Sequence, residues 1–199
     1  DVNEVKEDLN TFLTLDIPHL SYYSLIIEDN TILKINNTNY IDEDIEYNIY
    51  KLINKTLTNN NYHQYEISNY SKDNYESIHN LNYWHNGNYY GFGLGSVSYL
   101  NNLRRSNTKN LTKYLNHNYL DYEEYEDETT CMKTDLILSL RTTKGLSLDS
   151  FYHKYHKHLE SVYDIKELLK DNILIIKDNY LSINPKYLYL ENEIILKII

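Results

Sequence analysis

The sequence predicts a mixed α/β chain: half a βα unit, as in a parallel barrel or open sheet, and then a small winged-helix-like α+β unit. Three observations lead there. A helical pattern at 2–15 runs into a β-rich stretch at 19–28, the order of half a βα unit. A second helical pattern at 42–57 precedes a short alternating run at 65–70. The tail carries three helical patterns and a two-strand hairpin.

Element by element, Val2, Val5, Leu9, Phe12 and Leu13 recur at helical spacing, and Pro18 stops the pattern. The run from His19 to Glu28, between Pro18 and Asp29-Asn30, reads as a mostly buried strand. Ile45, Ile49, Leu52 and Ile53 make 42–57 a helix, with Asp42 and Glu43 at its positive end. Tyr65 to Tyr70 reads as a short strand, and 71–90 as a long loop with at most one helical turn. From about 108 to 130 the chain reads as helical and acidic, with Asp121 to Glu128 a solvated linker. Helices are expected at 132–140, 148–157 and 161–170, and strands at 173–176 and 180–183. A last helix starts at Pro185, a favoured first helical residue. The expected domains are 1–107, a linker over 108–130, and 131–199.

A chain of 199 residues, 41% of them hydrophobic, can bury one large core or two small ones. Its 23 Tyr, its many Asn, its five Gly and its lack of Ala follow AT-rich codons, so Asn need not mark a turn. A net charge of −10 argues against a polyanion partner such as nucleic acid. The single cysteine, Cys131, excludes a disulfide framework within the chain, a Cys-rich zinc site and an intrinsic iron–sulfur cluster. It fits a reducing cytoplasm. No stretch approaches the ~18 apolar residues of a membrane span. The chain opens on Asp1-Val2-Asn3-Glu4, without Met or a signal-peptide pattern, and so reads as truncated.

Gly87, Gly91, Gly93 and Gly95 fall within nine residues of a glycine-poor chain. Such clustering marks backbone that tolerates no side chain, beside a ligand or another backbone. Around it stand Tyr65-Glu66-Ile67-Ser68-Asn69-Tyr70, His79-Asn80, Tyr83-Trp84, Tyr90-Gly91-Phe92-Gly93, Ser98-Tyr99 and Arg104 to Asn107. In this order and spacing, they resemble the haem-chaperone family that is related to oxygen-independent coproporphyrinogen III oxidase. The strand from His19 to Glu28 is similar to the family's His-Ile-Ser strand, and Leu140-Arg141-Thr142 with Gly145 to the opening of its C-terminal domain.

The resemblance covers essentially the whole chain and corresponds to the second half of a family member. It implies the C-terminal part of a partial (β/α) radical-SAM barrel, then the winged-helix-like α+β domain. It implies a full-length protein that uses a [4Fe–4S] cluster on three cysteines, with S-adenosylmethionine on the open iron, and that binds haem for acceptor proteins. The cluster-bearing segment and the glycine-rich strand before residue 1 are absent, so this chain is expected to bind no cluster and to be catalytically inactive alone. Where the family often has Ala-His, Ser96-Val97 stand here. Partners implied are haem, haem acceptors and the missing half of the barrel.

Ser24 and Val97 match positions of the S-adenosylmethionine wall in the related oxidase; as plain residues they also fit a core. Glu66, Ser68, Asn69, His79 and Asn80 could line a pocket for haem propionates or S-adenosylmethionine, or form a hydrogen-bond network that fixes a loop. Arg104, next to Arg105, could clamp a propionate in two parallel bonds, or balance an acidic surface. Tyr83, Trp84, Tyr89, Tyr90, Phe92 and Tyr99 could stack on a porphyrin, or pack a junction. His153, His156 and His158 could form a metal or haem ligand cluster, or lie on a solvated helix surface that Lys154 and Lys157 mark. Cys131 has no recognisable activating neighbour and reads as an inert small residue. The implied function is haem binding and transfer. The rivals are a radical-SAM enzyme acting on a porphyrin, and a stand-alone interaction domain.

Overall fold

The computed structural model describes residues 1–29 and 31–199; Asn30, which flanks the expected first strand, lies outside the described residues. The chain divides into two compact units, Asp1–Glu76 and Ser77–Ile199, a division at neither expected boundary.

In the first unit α1 (Val2–Leu15) starts at a capping box: Asp1 accepts from the Asn3 and Glu4 amides while Glu4 reaches back to the terminal amine. It buries Val5, Leu9 and Phe12. After Pro18 come β1 (His19–Ser21), α2 (Ile32–Ile35) and α3 (Glu43–Thr58), capped by Asp42 and burying Ile53 and Leu57. Two short strands follow, β2 (His63–Gln64) and β3 (Asn69–Ser71). The sheet order is β1-β3-β2 with both ladders antiparallel. The core joins the α1 and α3 faces to Tyr62 and Tyr70.

Two expectations change here. The strand read over 19–28 is three residues long, because its partner β3 ends at Asn69; the Tyr22 amide still reaches the Ser68 carbonyl at 2.8 Å, and the ladder stops. Beyond it Tyr23, Leu25 and Ile26 stand in water, and Ile27 turns inward. Of the run 65–70, residues 65–68 connect β2 to β3 and only 69–70 lie in the strand; the connection is closed by Tyr65 N–H to the Asn69 carbonyl and Gln64 Nε2 to the Ile67 carbonyl. All ladders among the described residues are antiparallel.

The second unit opens with α4 (Ile78–Trp84), two turns where a loop was expected, because Ser77 caps it by accepting from the Asn80 amide. Next come β4 (Val97–Leu100), β5 (Leu103–Asn107), α5 (Leu111–Leu115) and β6 (Leu120–Tyr125) in one antiparallel sheet of order β4-β5-β6. The helical acidic linker expected over 108–130 is therefore a short helix and an edge strand. Its acids sit opposite arginines, Glu124 across from Arg104 and Glu123 across from Arg105, a pairing that favours the ladder.

The tail runs α6 (Glu128–Leu140), β7 (Leu146–Ser147), α7 (Leu148–Tyr155), a 3₁₀ turn at Leu159–Ser161, α8 (Lys166–Lys170), β8 (Leu174–Lys177), β9 (Tyr180–Ile183), a 3₁₀ turn at Pro185–Leu190 and α9 (Glu191–Leu196). The sheet order is β7-β9-β8. Leu136, Leu140, Ile165, Leu174, Leu181 and Ile183 are its innermost side chains. Gly145 holds φ +80°, and a Cβ there would lie 2.0 Å from the Leu181 carbonyl oxygen, so no larger residue fits.

Glu191 opens α9 with 6% of its surface exposed. Burial raises its carboxyl above the usual value, against the pull of its own backbone hydrogen bond and of Arg141. The folded state thus holds this proton more tightly than the unfolded chain. The stabilisation is complete below the unfolded carboxyl value and is lost as pH rises through the folded one. Glu191→Gln is therefore expected to raise stability at pH 7 by about 1 kcal/mol, with a smaller gain at pH 4. Urea midpoints at the two pH values check this.

Candidate functional site

Both units carry polar clusters. In the first, Glu66 and Asn69 are 2% and 1% exposed. Asn69 Nδ2 donates to Glu66 Oε1 and to the Tyr23 hydroxyl at 3.1 Å, and its Oδ1 accepts from Ser21. Gln64 Oε1 accepts from Asn54 at 2.8 Å and from Tyr50 at 3.2 Å. His19 Nε2 meets the Tyr65 hydroxyl at 2.8 Å, and burial lowers the pKa of this imidazole. His63 pairs with Glu76 at 2.8 Å. Glu66 and Asn69 thus bind each other. Ser68 lends its carbonyl to Tyr22. Ser24 is exposed in the irregular stretch after β1.

In the second unit Tyr89 and Tyr99 exchange both backbone hydrogen bonds at 2.9 Å in an isolated bridge. Gly91 then lies flat on Val97: a Cβ there would be 2.3 Å from the Val97 carbonyl oxygen. The close approach read from the glycines is thus to another backbone. Gly93 adopts φ +99° and its carbonyl accepts from Ser96 Oγ at 2.8 Å and Asn107 Nδ2 at 2.9 Å. The loop is fixed, yet Tyr90 and Phe92 project from it, 68% and 87% exposed, their rings stacked at 6.2 Å and 28°.

The two arginines part company because neighbouring strand residues face opposite ways. Arg104 turns inward. Its Nε and Nη2 donate to Glu126 Oε1 at 3.1 and 2.8 Å, and its Nη1 to the Tyr89 hydroxyl at 3.1 Å. The guanidinium lies 4.9 Å over the Tyr99 ring, and the Tyr99 hydroxyl donates to Glu126 Oε2 at 3.1 Å. Burial and Glu126 raise the pKa of Tyr99. The expected propionate clamp is therefore engaged by an internal carboxylate. Arg105 stays at the surface, paired with Glu123 at 3.1 Å.

His79 is exposed, its ring edge-on to Tyr83 at 4.9 Å, and Tyr83 in turn contacts Tyr89 at 4.6 Å. The Asn80 amide takes part in the Ser77 cap. Tyr152 gathers the histidine cluster: His158 stacks on it at 4.8 Å, and His153 and His156 meet it edge-on. Among the described residues no group of three or more His, Cys, Asp or Glu could hold a metal ion. Cys131 is 1% exposed, and burial pushes its thiol pKa up, in line with an inert residue. With one cysteine, buried, the residues present do not fit an iron–sulfur cluster. Among the described residues no helix is long and apolar enough to cross a membrane.

Sequence reasoning missed Glu126 and Asp135. Asp135 Oδ1 accepts from Asn86 at 2.8 Å, and its Oδ2 from the Tyr155 hydroxyl at 2.6 Å and Lys154 at 2.8 Å. Glu126 sits inside the acidic run from Asp121 to Glu128, in which no spacing sets it apart.

No family model matches the chain. By structure, coproporphyrinogen III oxidase (HemN) of Escherichia coli, described as a radical SAM enzyme, superposes with a TM-score of 0.72 at 16% identity, over 95% of this chain and 49% of that one. By sequence, "Heme chaperone HemW" of Lactococcus lactis is 32% identical over 179 residues, 85% of this chain and 47% of that protein. The Bacillus subtilis protein of that name is 31% identical over the same shares. That of Escherichia coli is 34% identical over 64% of this chain and 35% of its own length. The fold is thus a mixed α/β one of the kind found in a radical SAM enzyme. The chain belongs to the HemW family, whose C-terminal part it matches. It spans about half the length of the curated relatives.

Glu126 is 7% exposed and forms an ion pair with Arg104, so removing the acid leaves a largely buried cation without its carboxylate. Glu126→Ala is expected to cost about 3 kcal/mol in a denaturant titration. A double-mutant cycle with Arg104→Ala is expected to recover part of that loss, which a purely structural role of either residue alone would not give.

Proposed function

We propose that this chain is the C-terminal part of a haem chaperone of the radical-SAM family, working in the cytoplasm to bind haem and hand it to acceptor proteins. The observation that carries the reading is the identity of 32% and 31% to two curated haem chaperones over 85% of the chain. The motif region supplies the rest. Haem is cargo here, and a haem iron is commonly held by an imidazole. His79 offers one: it is exposed and lies in the aromatic row with Tyr83 and Tyr89.

The finer architecture follows from the same reading. Residues 1–107 form the end of a partial (β/α) barrel with a family-specific loop region, and 131–199 a winged-helix-like domain. The exposed apolar side chains of Tyr23, Leu25 and Ile26 are surface that further barrel strands of the full-length protein would cover. Ser24 in the first unit and Val97 in the second each match, by the resemblance, a position that contacts S-adenosylmethionine in the related oxidase. Bound there with a cluster, S-adenosylmethionine would supply radical chemistry, but the three cluster cysteines are not among these residues. Glu66, Ser68 and Asn69 shape the loop between β2 and β3; Asn80 helps fix the helix that presents His79.

Titration of the chain with haemin is expected to give a one-to-one complex with a shifted Soret band, and His79→Ala to weaken it at least about tenfold. Loss of bound haem to an apo-haem protein on mixing supports transfer. A full-length protein that released decarboxylated porphyrin and 5′-deoxyadenosine with turnover would favour the enzyme reading, which the oxidase-like fold alone suggests. Anaerobic reconstitution of this chain with iron and sulfide is expected to leave no stoichiometric cluster; recovery of about four irons per chain would refute that.

A further inference from the structure

We infer that the outer face of the β4-β5-β6 sheet is a docking face for a flat ring bearing carboxylates, with Arg105 holding a carboxylate and Tyr90 and Phe92 carrying the ring. The inference rests on the haem reading above and gives it a site.

The face is defined by the alternation of the strands. Tyr99 and Arg104 point inward to Glu126, so their neighbours Ser98 and Arg105, opposite each other in the ladder, share the other side. There, Ser98, Arg105, Asn107, Tyr119 and Leu120 line a shallow cavity of about 230 Å³. That is below the roughly 300 Å³ at which whole-ligand sites begin. It suits an acidic side arm, with the ring left outside.

Arg105 is equipped for the arm. Its Nε meets Glu123, but both partners are about half exposed, 52% and 49%, where such a pair is worth little. The Nη groups form the fork that binds a carboxylate in two parallel bonds. Arg104 lacks this freedom because Glu126 holds it.

The ring's support is the stacked pair of Tyr90 and Phe92. Exposed aromatic side chains on a mobile loop would be unremarkable, but this loop is tied down. Gly91 presses on Val97, Gly93's carbonyl is held by Ser96 and Asn107, and the Gly95 amide donates to the Thr108 carbonyl at 2.9 Å. A rigid apolar shelf kept in water is preorganised for an apolar partner. Shelf and cavity meet at Ser98: its hydroxyl lines the cavity and accepts, at 2.9 Å, from the Gly91 amide between the two aromatics. A flat apolar ring with anionic arms is the chemistry of a tetrapyrrole dicarboxylate.

Three probes test this on the whole chain: haemin, haemin dimethyl ester and metal-free protoporphyrin IX, each followed by absorbance or by quenching of protein fluorescence. Arg105→Gln is expected to weaken haemin and protoporphyrin about tenfold and to leave the ester unchanged, since the ester has no carboxylate to lose. Glu123→Gln, which removes the internal competitor, is expected to tighten the two free acids. Phe92→Ser is expected to weaken all three alike. Equal denaturation midpoints for the variants exclude unfolding as the cause. If Arg105→Gln changes acids and ester equally, or changes neither, the docking face is overturned. If haemin fails to bind while protoporphyrin binds with dependence on Arg105 and Phe92, the haem reading falls and the docking face stands. If no porphyrin binds, the docking face falls.

Discussion

Glu126 is a carboxylate almost wholly withdrawn from water, and its desolvation has to be met by donors in fixed places. Arg104 on β5 gives two and Tyr99 on β4 gives one. The backbone around it is fixed too: the Glu126 amide bonds to the Asn102 carbonyl in the β4–β5 turn, and the Cys131 thiol to the Glu126 carbonyl. One buried charge therefore sets the register of two strands and the start of α6. The Arg104 guanidinium over Tyr99, and its bond to the Tyr89 hydroxyl, carry the same constraint to the Tyr89–Tyr99 bridge. The glycine loop leaves that bridge, so what the loop displays depends on an acid that the sequence hides in a polar run.

A second acid continues the line. Asp135, on α6, collects Asn86 from the end of α4 and both Tyr155 and Lys154 from α7. Burial of the ring, and then the Asp135 carboxylate, raise the pKa of Tyr155, which keeps that hydroxyl protonated as a donor. Asn86 also reaches toward the Tyr99 hydroxyl at 3.4 Å, so the two carboxylates share a neighbour. Polar networks of this kind specify one packing because any shift strands a buried group. Beneath them the apolar core of the tail, from Leu136 to Ile183, supplies bulk stability but little positional preference.

What was legible in the sequence follows from period and locality. The helices at Val2–Leu15, Glu43–Thr58 and Glu128–Leu140, and the hairpin of β8 and β9, are long or closely joined, so their patterns survive in one dimension. β1 and β3 are three residues each and pair across some fifty residues of chain, which no local pattern records. The reading of Asn as codon bias was incomplete. With glycine scarce, Asn37, Asn61, Asn74, Asn86, Asn101 and Asn172 take the left-handed turns that glycine would otherwise take. The site was half legible. The motif region was marked by its glycines and aromatics, but adjacent arginines on a strand face opposite ways, and the acids that separate their roles, Glu123 and Glu126, lie in one run of like residues.

That separation bears on what the chain can do. A polar side chain is available to a ligand only if releasing it costs less than the ligand returns. Glu66 and Asn69, buried and bonded to each other, would have to be exposed first. Arg104 would have to abandon the buried Glu126 carboxylate and leave it to the Tyr99 hydroxyl. Arg105, half in water and held by one exposed acid, pays almost nothing to turn. His79 and the rings of Tyr90 and Phe92 are likewise already at the surface. The residues that best repay contact with a ligand are thus those the fold did not spend on itself, and in this unit they are an imidazole, an aromatic shelf and a guanidinium: groups that hold and orient a molecule.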